Sequence, residues 1–321
     1  MILGAVNANR NPFIYLNNMG KVMTSGEAVG AKTLAFAAAL AGTLAFPIGS
    51  RARAETGAWA ETTHAKVRLI SAVAATGDAK TVRLGLEIAL APGWKTYWRS
   101  PGEGGLPPKF DWSDSRNLAK PEVAWPAPKR FEIGGMESYG YADHVVLPID
   151  AVLAEPGKPL AARLSLQYAV CREICMLVEA RVALDLPARG DETAQSSSNA
   201  AAIARFQAEA PRPGAELGWR ILGIKRHRIG GSGAEGRDVL VIDVANSGAA
   251  FEAPDLLVEC PGIRFGKAMQ KPVAEAGRLR FAAPVQWSEV PPPAYPEIVL
   301  TLIDGKRAGT FTVRVDGPPP R

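Results

Sequence analysis

Residues 164–186 read LSLQYAVCREICMLVEARVALDL, and their alternation decides what kind of fold this chain builds. Before the cysteines, Leu164, Leu166, Tyr168 and Val170 alternate with Ser165, Gln167 and Ala169. After them, Met176, Val178, Ala180, Val182 and Leu184 alternate with Leu177, Glu179, Arg181 and Ala183. A period of two marks strands with one buried face. Folded as a hairpin with Cys171 opposite Cys175, Val170 meets Met176, Tyr168 meets Val178, Leu166 meets Ala180 and Leu164 meets Val182. The apolar side chains then share one face, and Gln167, Glu179, Ser165 and Arg181 share the other with the cysteines. A slip of one residue would destroy that segregation, so the pattern itself argues for this register. Directly opposed strand residues lie about 4.5–5.5 Å apart at Cα, inside the roughly 4.4–6.8 Å that a disulfide needs. The expectation is a bridge at a hairpin tip, on the more polar face, within reach of another protein. The loop Arg172-Glu173-Ile174 offers no glycine for the left-handed position that three-residue hairpin loops often use.

The same reading extends in both directions. Residues 66–72 (KVRLISA) and 81–90 (TVRLGLEIAL) alternate, and residues 145–152 continue the pattern. Proline, glycine and aspartate clusters separate these runs at 91–93, 100–105, 107–108 and 126–128. A polar stretch, GDETAQSSS, follows at 190–198. Ser198 is expected to cap a short helix over 199–209 (NAAAIARFQAE), stopped by Pro211, Pro213 and Gly214. Further strands are expected at 219–224, 238–245, 256–259, 278–281, 297–303 and 309–315. The fold class is all-β, with two immunoglobulin-like β-sandwich domains joined by a short helical linker. The expected boundaries are 1–54 for an export segment, 55–190 for the first sandwich, 191–214 for the linker and 215–321 for the second sandwich. No internal repeat of fixed period interrupts this reading.

Composition excludes two broad classes. Of 321 residues, 47% are hydrophobic and 21% charged, which is globular rather than disordered. The net charge is +5, but Arg10, Lys21, Lys32, Arg51 and Arg53 stand against the single acid Glu27 in residues 1–54. The remainder is nearly balanced, so no nucleic-acid partner is called for. Residues 33–48 (TLAFAAALAGTLAFPI) form an uncharged apolar run behind Lys32, ahead of Ala52-Arg53-Ala54. These are the parts of a cleaved signal peptide, and the run is short of the about 20 residues that span a bilayer. Met19 and Met23 are alternative starts. The mature chain is expected in the periplasm, where disulfides persist.

The cysteine pair leaves three chemistries open: redox exchange, a structural staple and a metal site. A five-residue loop returns only roughly 2 kcal/mol to a structural bridge, which tilts the reading toward exchange. Cys171, Cys175 and Met176 are soft ligands that suit Cu(I), so a copper-tolerance protein is one alternative. A non-catalytic adaptor held by a structural disulfide is another. His64, His144 and His227 are scattered and form no ligand spacing, and His144 is read as structural. Cys260 has no evident partner and is read as a buried or spare thiol. Gly102-Glu103-Gly104-Gly105 lacks the context of a phosphate loop and is read as a turn. Trp94, Trp98, Trp112 and Trp125 are read as sandwich core and edge. No cofactor is implied.

Four segments carry a resemblance. They are 93–98 (GWKTYW), 123–126 (VAWP), 139–149 with Tyr139-Gly140-Tyr141 and Val146-Leu147-Pro148-Ile149, and 168–175 (YAVCREIC). Together they resemble the N-terminal periplasmic domain of the protein-disulfide reductase DsbD, and the equivalent region of the copper-sensitivity suppressor ScsB. The resemblance implies an immunoglobulin-like domain whose pair, Cys171 and Cys175, shuttles electrons. It implies a membrane-embedded thiol relay as donor and periplasmic thioredoxin-fold proteins as acceptors, with reduction, copper tolerance and cytochrome c biogenesis as candidate tasks. Tyr97 matches an aromatic residue beside the pair. A shielding cap loop falls within 131–141, with Ile133 and Met136 as candidates for its tip and Tyr139 and Tyr141 as supports. By the same analogy Cys175 attacks first. Leu177 departs from the proline common two positions after the second cysteine. The family's multi-span and thioredoxin-like domains are not read in these residues, so the implied donor is a separate protein.

Overall fold

The computed structural model describes residues 55–189, 197–230, 236–247, 250–273, 275–287 and 297–314. The expected signal segment, residues 1–54, residue 190 of the expected first sandwich and residues 191–196 of the expected linker lie outside the described residues. In chain order the first block holds β1 (Ala60–Thr62), β2 (Ala65–Ser71), β3 (Thr81–Leu90), β4 (Lys95–Gly102), β5 (Lys109–Asp111), β6 (Lys120–Val123), β7 (Lys129–Ile133), β8 (Met136–Ala142), β9 (His144–Val152), β10 (Leu160–Cys171) and β11 (Cys175–Leu186). Helix α1 (Ala200–Ala208) follows. The second block holds β12 (Arg212–Pro213), β13 (Trp219–Ile229), β14 (Arg237–Asn246), β15 (Pro254–Glu259), β16 (Ile263–Phe265), β17 (Met269–Lys271), β18 (Arg278–Trp287), β19 (Ile298–Asp304) and β20 (Arg307–Val313). The chain is thus nearly all-β, as the alternation implies.

Among the described residues the strands form four sheets. One runs β1-β2-β3-β9-β6, and a second runs β11-β10-β4-β8-β7 with β5 also paired to β10. The other two run β12-β20-β19-β15 and β13-β14-β18-β16, with β17 added to β18. The first two sheets share one core, into which β2, β3 and β9 send Leu69, Leu86 and Leu147, while β10 sends Leu164, Leu166 and Tyr168. The second block builds its own core around Trp219, Ile242, Phe281, Leu300 and Leu302. Leu257 of β15 is nevertheless buried with the first core, and both blocks belong to one compact unit.

Helix α1 buries Ile203 and Phe206 against the first block. That contact explains why residues 145–149 of β9 are buried without interruption: one side meets the core and the other meets α1. Its N-terminus differs from the expectation. Asn199, not Ser198, occupies the cap position, and no side chain caps the helix. Asn199 instead turns its amide to the Glu55 carbonyl and the Thr56 hydroxyl, fastening the helix to the start of the domain. Among the described residues no helix is long and apolar enough to cross a membrane.

A polar triad sits on β2, β3 and β9. Arg68 Nε donates to Glu87 Oε2 at 2.6 Å, and His144 Nε2 lies 2.9 Å from Glu87 Oε1. His144 opens β9, in keeping with its expected strand position. Its hydrogen bond, with the nearby Arg68, holds the Glu87 carboxyl below the usual range despite partial burial. Glu87→Gln is therefore expected to cost about 1 kcal/mol at neutral pH, less than the about 1.5–3 kcal/mol of a buried hydrogen bond to a charged group because the site is partly solvated. A depressed folded-state pKa contributes stability above the unfolded value and loses it as pH falls through the folded one. Denaturant curves of the two proteins should converge below the ordinary carboxylate range. A gap undiminished in acid would contradict this account.

Candidate functional site

The β10–β11 hairpin has the register the alternation demands. Cys171 pairs with Cys175, Val170 with Met176, Gln167 with Glu179 and Leu164 with Val182. Cys171 and Cys175 form a disulfide with Cα atoms 4.1 Å apart. The loop needs no glycine, because none of Arg172, Glu173 and Ile174 has a positive φ. The loop is closed instead by the Arg172 amide donating to the Ile174 carbonyl at 3.1 Å.

The two sulfurs do not share one environment. Cys175 is exposed, whereas Cys171 is 0% exposed. This corrects the expectation that both cysteines lie open on a polar face. The face is polar along Ser165, Gln167, Glu179 and Arg181, but at the tip another layer covers it. Cys171 packs with Ala169, Tyr97 and Ile133, and Phe131 closes the edge of that cluster. Strand β4 brings Tyr97 there, since Lys95 lies opposite Cys171 and Tyr97 projects from the same side of the strand. Thr96 points the other way and donates its hydroxyl to the Ala169 carbonyl at 2.9 Å, locking β4 onto β10.

The cover is the β7–β8 hairpin. Ile133 pairs with Met136 across Gly134 and Gly135, whose φ angles are 57° and 80°. Two successive positive φ values define the tight hairpin turn that glycine permits. Alternation along β7 then places Lys129, Phe131 and Ile133 on one side, with Arg130 and Glu132 on the other. Ile133 is 6% exposed against Cys171, and the Phe131 ring stacks on Tyr97 with centroids 6.4 Å apart. Lys95 Nζ stands 5.6 Å above the Phe131 ring. Of the two candidate tip residues, Ile133 covers the cysteine, and Met136 is exposed against Gly104.

The Tyr97 hydroxyl lies 3.0 Å from Cys175 Sγ. A disulfide sulfur carries no proton, so the phenol is the donor. Burial pushes the Tyr97 pKa up, which keeps that proton in place at neutral pH. The same donor would stabilise a Cys175 thiolate after reduction.

The remaining candidates fall elsewhere. Tyr139 and Tyr141 belong to the first block's core, not to the cluster around Cys171. Tyr139 Oη donates to Glu137 and accepts from Arg130, and burial pushes its pKa up to about 12. Tyr141 Oη donates to the Pro126 carbonyl at 2.8 Å. Met176, the third member of the alternative copper set, packs against the core on the opposite face from the cysteines. The three soft ligands are therefore not brought together. Cys260 is a free thiol in the second block, and burial raises its pKa to about 11. At neutral pH it is a protonated, weak nucleophile. Sequence reading missed Phe131 as a covering residue, although its alternation with Ile133 in KRFEI places both on one side.

Exposed apolar side chains flank the exposed cysteine: Ile174 is 69% and Leu177 66% exposed. The hairpin thus presents an oxidised sulfur between two side chains that water does not favour.

Residues 66–187 match the family model described as thiol:disulfide interchange protein DsbD, N-terminal. That span contains both cysteines, Tyr97 and the β7–β8 hairpin. Among solved structures, the N-terminal periplasmic domain of ScsB from Proteus mirabilis is similar, at 22% identity and a TM-score of 0.63. The likeness covers 81% of this chain and 98% of that one, so it speaks for the fold of both blocks. No curated protein matches the chain. The resemblance carried by the four sequence segments is thereby met.

Proposed function

We propose that this protein is a periplasmic thiol:disulfide interchange protein, which passes reducing equivalents from a membrane-embedded thiol donor to thioredoxin-fold acceptors. The observation that carries the proposal is the asymmetry of the Cys171–Cys175 pair. One sulfur is buried beneath Ile133, and the other is exposed beside a phenol donor. Exchange needs one attacking and one resolving thiol, and this arrangement divides those roles.

In the reduced protein the Cys175 thiolate attacks one sulfur of the acceptor disulfide. A mixed disulfide forms, and the acceptor's other sulfur leaves as a thiolate. Cys171, as thiolate, then attacks Cys175 Sγ. The Cys171–Cys175 bond forms, the bond to the acceptor breaks, and the second acceptor thiolate leaves. The acceptor gains two electrons and, after protonation of its thiolates, two protons; this protein loses the same. The donor's dithiol reverses the sequence and restores the reduced pair. Tyr97 holds a proton toward Cys175 throughout and favours the thiolate form. Ile133, Phe131 and Tyr97 keep Cys171 from adventitious thiols. The reading keeps the redox pair in a first sandwich over 55–190 and assigns a second sandwich to 215–321.

Mixing the reduced protein with an oxidised thioredoxin-fold protein and trapping thiols over time tests the proposal. Loss of both Cys171 and Cys175 thiols, with equal gain in the acceptor, is expected. A pair that stays reduced while the acceptor stays oxidised would refute it.

A further inference from the structure

The side of β7 that faces away from the disulfide is held by the second block. Arg130 Nε and Nη2 donate to Asp255 Oδ2 and Oδ1 at 3.0 and 2.6 Å, a two-pronged pair across the blocks. Arg130 Nη1 reaches Glu137 on β8 and the Tyr139 hydroxyl, and its guanidinium lies 4.8 Å above the Tyr139 ring. Glu137 also faces Lys267 of the second block at 4.0 Å, and its amide donates to Glu103 Oε2 at 3.2 Å. Glu103 in turn accepts from Gln286 Nε2 at 3.1 Å and, through its carbonyl, from Arg264 at 3.2 Å. The covering hairpin is therefore gripped from behind while its front presses Ile133 and Phe131 on the cysteine cluster.

We infer that Arg130 and Asp255 are positioning residues for the exchange reaction: their pairing lets the second block hold the β7–β8 hairpin closed over Cys171. This rests on the interchange reading above for its purpose, but its mechanics stand on the geometry alone. Residues 130, 131 and 133 lie on one short strand, so a force on Arg130 is transmitted to Ile133 through three residues of backbone. Arg130 is 17% exposed at its side chain and Asp255 33%, so the pair is partly desolvated and planar-to-planar, the geometry in which Arg–carboxylate pairs are strong. A second pair, Arg99 with Glu259 at 2.8 and 3.0 Å, also joins the blocks, but from β4 and not from β7. It separates closing the hairpin from merely joining the blocks.

The test is the rate at which a bulky maleimide alkylates Cys171 in a Cys175→Ser background, read by mass spectrometry at a temperature where each protein is folded by circular dichroism. Asp255→Ala is expected to speed that alkylation about tenfold, equivalent to ~1.4 kcal/mol of restraint. Asp255→Asn, which keeps the shape and removes the charge, should show most of that gain. In an Arg130→Ala background Asp255→Ala should add nothing further. Glu259→Gln should leave the rate unchanged. Equal rates for the Cys175→Ser parent and both Asp255 variants overturn the inference, and so does equal acceleration by Glu259→Gln. The reduction potential, measured on the protein with both cysteines, keeps the two readings apart: a pair too stable to exchange refutes the interchange function while the alkylation rates still decide the clamp.

Discussion

A Cys171→Ser protein accumulates a mixed disulfide through Cys175, and a Cys175→Ser protein does not. The expectation follows from burial. Cys171 lies under Tyr97, Ile133 and Phe131 with no exposed surface, whereas Cys175 stands at the start of β11 beside exposed Ile174 and Leu177. With Cys171 gone, an acceptor that reacts at Cys175 has no intramolecular thiol to displace it, so the mixed disulfide persists. With Cys175 gone, the remaining thiol reacts only when the hairpin opens. Alkylation of Cys171 by a bulky maleimide in Cys175→Ser should be at least about 100-fold slower than that of Cys175 in Cys171→Ser, roughly 2.7 kcal/mol of opening. Mass spectrometry of the trapped species and timed alkylation give both readouts. Trapping by the Cys175→Ser protein, or equal alkylation rates, would reverse the assigned roles.

Tyr97→Phe raises the Cys175 thiol pKa and changes the shape of the pH–rate profile. The phenol hydroxyl is 3.0 Å from Cys175 Sγ, and its raised pKa keeps it a donor through the range where a thiol titrates. Removing a hydrogen bond to a charged acceptor costs about 1.5–3 kcal/mol, or about one to two pKa units. The sign is fixed by the thermodynamics: the donor favours the charged thiolate, so its loss disfavours deprotonation. At a pH below the thiol titration of both proteins a shift of one unit lowers the thiolate fraction about tenfold, while the higher-pKa thiolate is intrinsically about threefold more nucleophilic. The net expectation is a rate about threefold lower on the acid side of that titration in attack on a small disulfide. Above the pKa of both proteins the order inverts, and the variant becomes faster. Profiles that remain parallel across the thiol titration would show that the phenol does not act on the thiolate.

The hairpin was legible because one face carries most of its large apolar side chains. Leu164, Leu166, Tyr168 and Val170 leave only one register that buries them together, and the structure has that register through twelve paired positions. The strands of the second block were legible for the same reason, since Ile242 and Val244, like Leu300 and Leu302, alternate toward one core. What the pattern could not convey was the layer above the cysteines. Ser165 and Gln167 make that face of β10 polar, and nothing in the hairpin reports that Ile133, far earlier in the chain, folds back over Cys171. The resemblance to the family located a cap within 131–141, but alternation alone separates Ile133 from Met136 only once the Gly134-Gly135 turn is known. The grip of Asp255 on Arg130 lay beyond sequence reading altogether, because charged partners in different blocks leave no periodic trace. The helix cap failed on a local contest: Asn199 occupies the cap position, but its side chain bonds the start of the domain in preference to its own helix.

The interchange reading stands or falls on how readily the Cys171–Cys175 bond accepts electrons. Equilibrating the purified protein in graded dithiothreitol or glutathione buffers, with quenching and thiol trapping, measures its reduction potential. An exchange pair should titrate between about −180 and −270 mV, the span of thiol oxidoreductases. A pair that remains oxidised to below about −300 mV would behave as a structural staple, and the protein would then be an adaptor whose disulfide only holds its hairpin.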